Sequence, residues 1–286
     1  MSTPAFDPQQ YKAGQRHEWG VSAAGWRQYW TLWEQAAQPV NERLVALADI
    51  QTGHRVLDIA PGLGAPAFTA AQRVGPAGWG VATDLAPAML ALAREEASRR
   101  KIRHIEFREM DAEHPDVPAQ SFQAILCRLG LMFLPHLPTA LVGLRQLLVS
   151  GGRFAAAVWG PPDTVPFTSV PMGIIRQRLH VPPPSPGTPG TFTLADAHVL
   201  TQTFTQAGFT EVSTERLTIT FTYPSVDIFV QEREATSASI RQLLGAASPE
   251  DRTAIWHAVS AAITQYQAPD GVLRIPNDIL CVVGRA

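Results

Sequence analysis

Three carboxylates in this chain stand at or near the ends of strand-like runs. Val56, Leu57 and Ile59 frame Asp58; Gly78-Trp79-Gly80-Val81-Ala82-Thr83 leads into Asp84; His104 to Met110 leads into Asp111. Short apolar runs of this kind read as buried parallel strands. In open α/β sheets the strand ends are where ligands are met. A carboxylate there can accept hydrogen bonds from hydroxyl and amino groups, or neutralise a cation. Just past Asp58 comes Ala60-Pro61-Gly62-Leu63-Gly64, then Ala67 to Val74, which has the small residues of a helix lying close to a sheet. Strand, glycine turn and helix together bring backbone close to a nucleotide-like ligand, because glycine lacks a Cβ and tolerates φ > 0.

Two ligands suit such a turn. Gly62-x-Gly64-x-x-Ala67 matches the dinucleotide fingerprint, which is a weak signal alone. Ala60 and Pro61 come between strand and glycine, however, and Pro61 and Pro66 lack the N–H donors that would hold a pyrophosphate. Asp58 would repel phosphate and attract the ammonium and sulfonium of S-adenosylmethionine. Asp84 lies 20 residues past Gly64, where an acid accepts both ribose hydroxyls of either ligand.

The elements that position these groups follow in order. Residues 8 to 50 hold Trp19, Trp26, Trp30 and Trp33, separated by seven, four and three residues, hence on one helical face. Ser22 and Gly25 interrupt the pattern and suggest two helices. The rings either pack on the sheet edge or form a lid, where electron-rich indoles attract a cation and exclude water. A fourth strand reads from Phe122 to Arg128 and a fifth from Phe154 to Trp159. Pro182-Pro183-Pro184 and Pro186 to Gly190 make a stiff loop. That loop and the apolar segment Phe167 to Leu179 are candidate pocket walls. Phe209 to Tyr223 alternates as a sixth strand, Val226 to Gln267 is a helical insertion, and Ile279 to Gly284 is the last strand.

Asp58-x-Ala60-x-Gly62-x-Gly64 resembles motif I of the class I S-adenosylmethionine-dependent methyltransferases, with Ala60 where glycine is commoner. Asp84-Leu85-Ala86-Pro87-Ala88-Met89-Leu90 resembles the segment that follows strand two in that family. Asp111-Ala112-Glu113, Ser121-Phe122 and Cys127-Arg128-x-Gly130-x-Met132-Phe133 resemble the branch akin to ubiquinone/menaquinone-biosynthesis C-methyltransferases, as does Trp159-Gly160-Pro161-Pro162. The resemblance implies an α/β, Rossmann-like seven-stranded sheet, mostly parallel with the last strand antiparallel. It implies a helical cap over 1–50, a cofactor core over 51–160, and substrate-pocket elements with strands six and seven over 161–286. It assigns S-adenosyl-L-methionine to Trp26 or Trp30, Asp58, Ala60, Gly62, Gly64, Asp84, Leu85 and Met89. It further assigns Asp111 to the adenine amino group and the Ala112 N–H to a ring nitrogen. The Cys127 carbonyl is assigned to the methionine ammonium, and Arg128 and Leu129 to the cofactor–substrate junction.

The rest is bounded by composition. The 286 residues are 45% hydrophobic and 17% charged, ample for such a domain. A net charge of −2 with no basic stripe argues against nucleic acid as substrate. Two cysteines are too few for a disulfide scaffold or a cysteine metal site, so no metal is expected. No membrane-length apolar segment or signal peptide stands out, which reads as cytoplasmic. A general base is needed only if the acceptor arrives protonated, and His136 and His17 are its candidates. The expected reaction is methyl transfer to a small, apolar or aromatic acceptor at C, O or N, in a protein compatible with a homodimer. An NAD-dependent oxidoreductase and a non-catalytic S-adenosylmethionine binder are the competing readings.

Overall fold

The computed structural model describes residues 6–184 and 187–286; Pro186 of the proline-rich loop lies outside the described residues. Seven strands form one sheet in the order β3-β2-β1-β4-β5-β7-β6. They are β1 (Arg55–Ile59), β2 (Trp79–Asp84), β3 (Ile105–Glu109), β4 (Phe122–Arg128), β5 (Leu148–Trp159), β6 (Thr210–Tyr223) and β7 (Leu273–Arg285). Strands β1 to β5 pair in parallel. β7 runs antiparallel to both β5 and β6, and it slots between them. This is the expected architecture, with a last strand longer than the apolar run alone suggested.

Burial explains the topology. Ala124, Ile125, Leu126 and Cys127 of β4 are fully buried, as are Phe154 to Ala157 of β5. Such strands are covered on both faces by helices, which is the environment that parallel ladders require. The helices on those faces include α2 (Ala65–Val74), α3 (Pro87–Arg99), α4 (Leu137–Leu147) and α6 (Ala197–Gln206). β3 closes one edge with alternating charged and half-buried residues, a pattern that discourages further pairing.

The N-terminal element departs from expectation. It is one 40-residue helix, α1 (Pro8–Leu47), rather than two. Asp7 caps it, accepting from the Gln9 and Gln10 N–H groups. Ser22 bonds back to the Glu18 carbonyl at 2.7 Å, so it stays within the helix. Gly25 marks no break: a Cβ there would lie 2.2 Å from the Ala235 carbonyl oxygen, so glycine permits close packing of α1 on the neighbouring helix. That helix is α7 (Val226–Thr236), the first of three in the insertion; α8 (Ala238–Leu244) and α9 (Pro249–Ile263) follow.

The apolar segment before the proline-rich loop is α5 (Pro166–Arg178). Its Phe167 is buried, stacked on Phe221 at 4.2 Å between ring centroids. Phe167 of α5 therefore belongs to the core, and α5 is not among the elements that line the cavity described below. The described part of the proline loop does not line that cavity either. Pro189 accepts from the Tyr11 hydroxyl at 3.3 Å, and Gly190 donates to the Met132 carbonyl at 3.0 Å. The loop thus braces the start of α1 from outside.

Candidate functional site

One cavity of about 170 Å³ opens at the C-terminal ends of β1, β2 and β4. Its floor is the turn Ala60 to Leu63, its sides are Asp84, Leu85 and Met89 on one hand and Arg128 to Gly130 on the other, and Met110, Asp111 and Ala112 close the far end. The roof is α1, which contributes Lys12, Gln15, Trp19, Trp26, Trp30 and Trp33. Phe133, Leu134 and Pro135 complete the wall.

The floor turn is held in left-handed backbone at three points: Ala60 (φ 53°), Gly62 (φ 57°) and Gly64 (φ 95°). Two of these are glycines, which accept the conformation freely. Ala60 does not; an L-residue there costs roughly 1–2 kcal/mol. Ala60→Gly is therefore expected to stabilise the free protein by about 1 kcal/mol, raising Tm by about 2 °C in a thermal melt. Unchanged or lower Tm would show that the Ala60 methyl has a packing role that outweighs the strain.

Asp84 ends β2 with its carboxylate between two turns. It accepts from the Ala86 N–H at 2.9 Å and from the Gly62 N–H at 3.3 Å. It thereby ties the glycine turn to the start of α3. Burial pushes its pKa up to about 6, against those donors. Asp111, the acid after β3, accepts from the Glu113 N–H at 2.9 Å and from Lys12 at 2.7 Å. Burial pushes its pKa up, but Lys12 and the backbone donor outweigh that and hold it below the ordinary carboxylate value. Asp111, Glu113 and His114 bring ligand atoms within 4.8 Å of one another, and the Lys12 ammonium already supplies the positive charge there.

Asp58 lies elsewhere than expected. It is 1% exposed, beneath the floor turn, and does not rim the cavity with the other two acids. Neither oxygen has a well-formed hydrogen bond, although the Ala67 N–H offsets part of the burial. Burial raises its pKa well above the ordinary range, with the Arg128 charge opposing. The reason is its position on a central strand, paired on both sides by β2 and β4 and covered by its own turn. Gly64 also stays off the lining: its α-carbon abuts the Phe68 ring, and a Cβ would lie 2.5 Å from it. Cys127 is fully buried and outside the lining, and burial pushes its thiol up to about 12, so it is no nucleophile.

Arg128 does line the cavity. It donates to Asn41 at 2.9 Å and meets Glu34 at 3.4 Å, and its guanidinium lies 5.9 Å from the Trp33 ring centroid. The indole nitrogens of Trp26, Trp30 and Trp33 are buried without partners. His17 and His136 are both exposed and neither lines the cavity. His136 precedes α4 and spends its backbone N–H on Glu113 at 2.6 Å. Its neighbours Phe133 to Pro135 turn inward instead. Lys12 and Gln15 were not singled out by the sequence. Their signal is a spacing of three on the helix that carries the tryptophans, too common to notice without the fold.

The lining suits a nucleoside with a cationic side chain. It offers two carboxylates with unused lone pairs, an apolar slot between them, and aromatic rings above. It offers no cluster of backbone N–H groups for a pyrophosphate, since Pro61 and Pro66 interrupt the turn and the helix start.

Comparison with known proteins agrees with this geometry. The family model described as a methyltransferase domain matches residues 56–152. Aklanonic acid methyltransferase DauC of Streptomyces sp. (strain C5) is 43% identical over 117 residues, covering 41% of this chain and 53% of DauC. The ubiquinone/menaquinone biosynthesis C-methyltransferase UbiE of Pseudomonas fluorescens (strain SBW25) is 30% identical over 138 residues, covering 45% of this chain and 54% of UbiE. The chain thus spans about half the length of these curated relatives, 53% and 54%. The solved YcgJ protein of Bacillus subtilis shares the fold with a TM-score of 0.57 at 19% identity, over 86% of this chain and 97% of its own. Strand order, strand-end acids and these relatives converge: residues 56–152 match a methyltransferase domain, and the chain shares its fold with these proteins.

Proposed function

We propose that this protein transfers a methyl group from S-adenosylmethionine to a small, largely apolar or aromatic acceptor. The observation that carries this is the juxtaposition of Asp84 and Asp111 on one cavity roofed by tryptophans. Bound there, the cofactor supplies an electrophilic methyl group on a sulfonium. Asp84 accepts from the ribose hydroxyls, Asp111 from the adenine amino group, and the Ala112 N–H donates to a ring nitrogen. Leu85 and Met89 give the base an apolar berth. Trp26 and Trp30 shed water from the sulfonium end and favour its charge through their π faces.

The chain's part in the transfer is positioning and exclusion of water. In-line displacement needs the acceptor at roughly 3–3.5 Å, and holding it there can remove much of the barrier. Among the described residues, the ionisable groups lining the cavity are Lys12, Asp84, Asp111 and Arg128. The two acids belong to the nucleoside, and the guanidinium keeps its proton. The acceptor therefore brings its own nucleophile, as an ionised or readily ionised oxygen or an activated carbon. His17 and His136 have no part in this reading.

Calorimetry with S-adenosylhomocysteine is expected to show micromolar binding, while NADH should give no fluorescence response. A labelled cofactor with a panel of acidic aromatic acceptors should then yield a methylated product by mass spectrometry. Absence of heat with S-adenosylhomocysteine would sink the proposal; binding without any product would leave a non-catalytic binder.

A further inference from the structure

Lys12 stands at the closed end of the cavity, on the second turn of α1. It reaches 99 residues along the chain to Asp111. Its ammonium lies 2.7 Å from one Asp111 oxygen and also contacts Glu113. Glu113 is 5% exposed, and its other oxygen is occupied by the His136 N–H at 2.6 Å. Asp111 has its remaining oxygen on the Glu113 N–H at 2.9 Å. The site is thus two carboxylates two residues apart, one of them buried, sharing one ammonium. A buried carboxylate stripped of its partner is costly, and two such groups side by side repel each other. Lys12 is the countercharge that the two carboxylates share in this arrangement.

A carboxylate offers about four lone-pair sites. Asp111 uses two, one for Lys12 and one for the Glu113 N–H. Those two bonds fix the plane of its carboxylate and leave acceptor capacity on a group that lines the cavity. Lys12 is itself held in place. Next to it, Tyr11 bonds to Pro189 at 3.3 Å, and Arg16, one turn further, pairs with Glu109.

We propose that Lys12 is a positioning residue for the nucleobase: it acts through Asp111, keeping that carboxylate ionised and aimed so that it accepts the exocyclic amino group. This rests on the reading of the cavity as a site for S-adenosylmethionine, and it adds a residue of α1 to recognition of the base. Lys12 makes no bond to the ligand in this account; its effect is seen only through the amino group.

The test is a cycle between Lys12 and that amino group. Calorimetry measures S-adenosylhomocysteine and its analogue with purine in place of adenine, on wild type, Lys12→Met and Lys12→Arg. Wild type is expected to lose about tenfold in affinity when the amino group is deleted, the order of one charge-assisted hydrogen bond. Lys12→Met should bind S-adenosylhomocysteine about tenfold more weakly and lose no more than about twofold on deletion of the amino group. Lys12→Arg keeps the charge and should restore most of the coupling. Equal losses on amino deletion in wild type and Lys12→Met would overturn the proposal, as would Lys12→Met binding S-adenosylhomocysteine like wild type. Should Lys12→Met misfold by circular dichroism, Lys12→Arg decides: loss of discrimination with the charge retained would overturn the proposal. Wild type silent toward both ligands would instead overturn the reading of the site, and this inference with it.

Discussion

Asp84→Ala is expected to weaken binding of S-adenosylhomocysteine by about 100-fold or more. Two charge-assisted bonds to ribose hydroxyls are worth about 1.5 kcal/mol each at the low end, and 3 kcal/mol is roughly a 150-fold change. The alanine would also release the Gly62 and Ala86 N–H groups that the carboxylate now ties together. The same residue sets a pH dependence. Its pKa is raised to about 6 by burial, so below that value the protonated form predominates. The ionised form is the better acceptor for two hydroxyls. Affinity should therefore be full above about pH 7 and fall as pH drops through 6, by about tenfold at pH 5. Asp84→Asn, which cannot ionise, should bind weakly with a flat profile over that interval. Titrations at pH 5, 6, 7 and 8 check both; a wild-type affinity that is constant from pH 5 to 8 would remove Asp84 from the ribose.

Trp33→Ala is expected to cost about 3–5 kcal/mol of stability, the usual range for deleting a large buried aromatic. That is a large share of the roughly 5–15 kcal/mol that holds a native domain together. Trp33 is 4% exposed, with Trp26 at 5.0 Å, Phe221 at 4.9 Å, Phe167 at 6.0 Å and Trp159 at 6.2 Å between ring centroids. It joins α1 to the core while its edge reaches the cavity. Trp19 shares the helical face and lies at the cavity's other end, half-buried, 6.0 Å from Phe133. Trp19→Ala should lower the denaturant midpoint far less than Trp33→Ala. Equal shifts for the two variants would show that the face acts as one packing unit.

These two tryptophans show where sequence reading reached its limit. Periodicity put all four rings on one face of a helix, and they are there. It could not say which ring meets the core and which meets the cavity, because that depends on how the helix crosses the sheet. Gly25 is a similar case. Along the chain it looks like a helix breaker; in the fold it is the point where α7 comes close enough that no Cβ would fit. The two histidines were plausible bases by neighbourhood alone. His136 follows three residues that line the cavity, yet as the residue that starts α4 it is exposed and off the lining.

What the chain determined by itself was local: strand, glycine turn and helix at 55–74, acids at or near the ends of successive strand-like runs, and a final strand of continuous apolar residues. Such features are set by neighbours in the chain, through steric limits on φ and through alternation of buried side chains, and they suffice to indicate an α/β fold with a strand–glycine turn–helix at its centre. The tertiary structure alone decided that Asp84 and Asp111 share a cavity while Asp58 lies under its floor, and that Lys12 reaches Asp111 from across the fold. Those facts depend on contacts between residues far apart in sequence, and burial and pairing of charge are properties of the packed molecule.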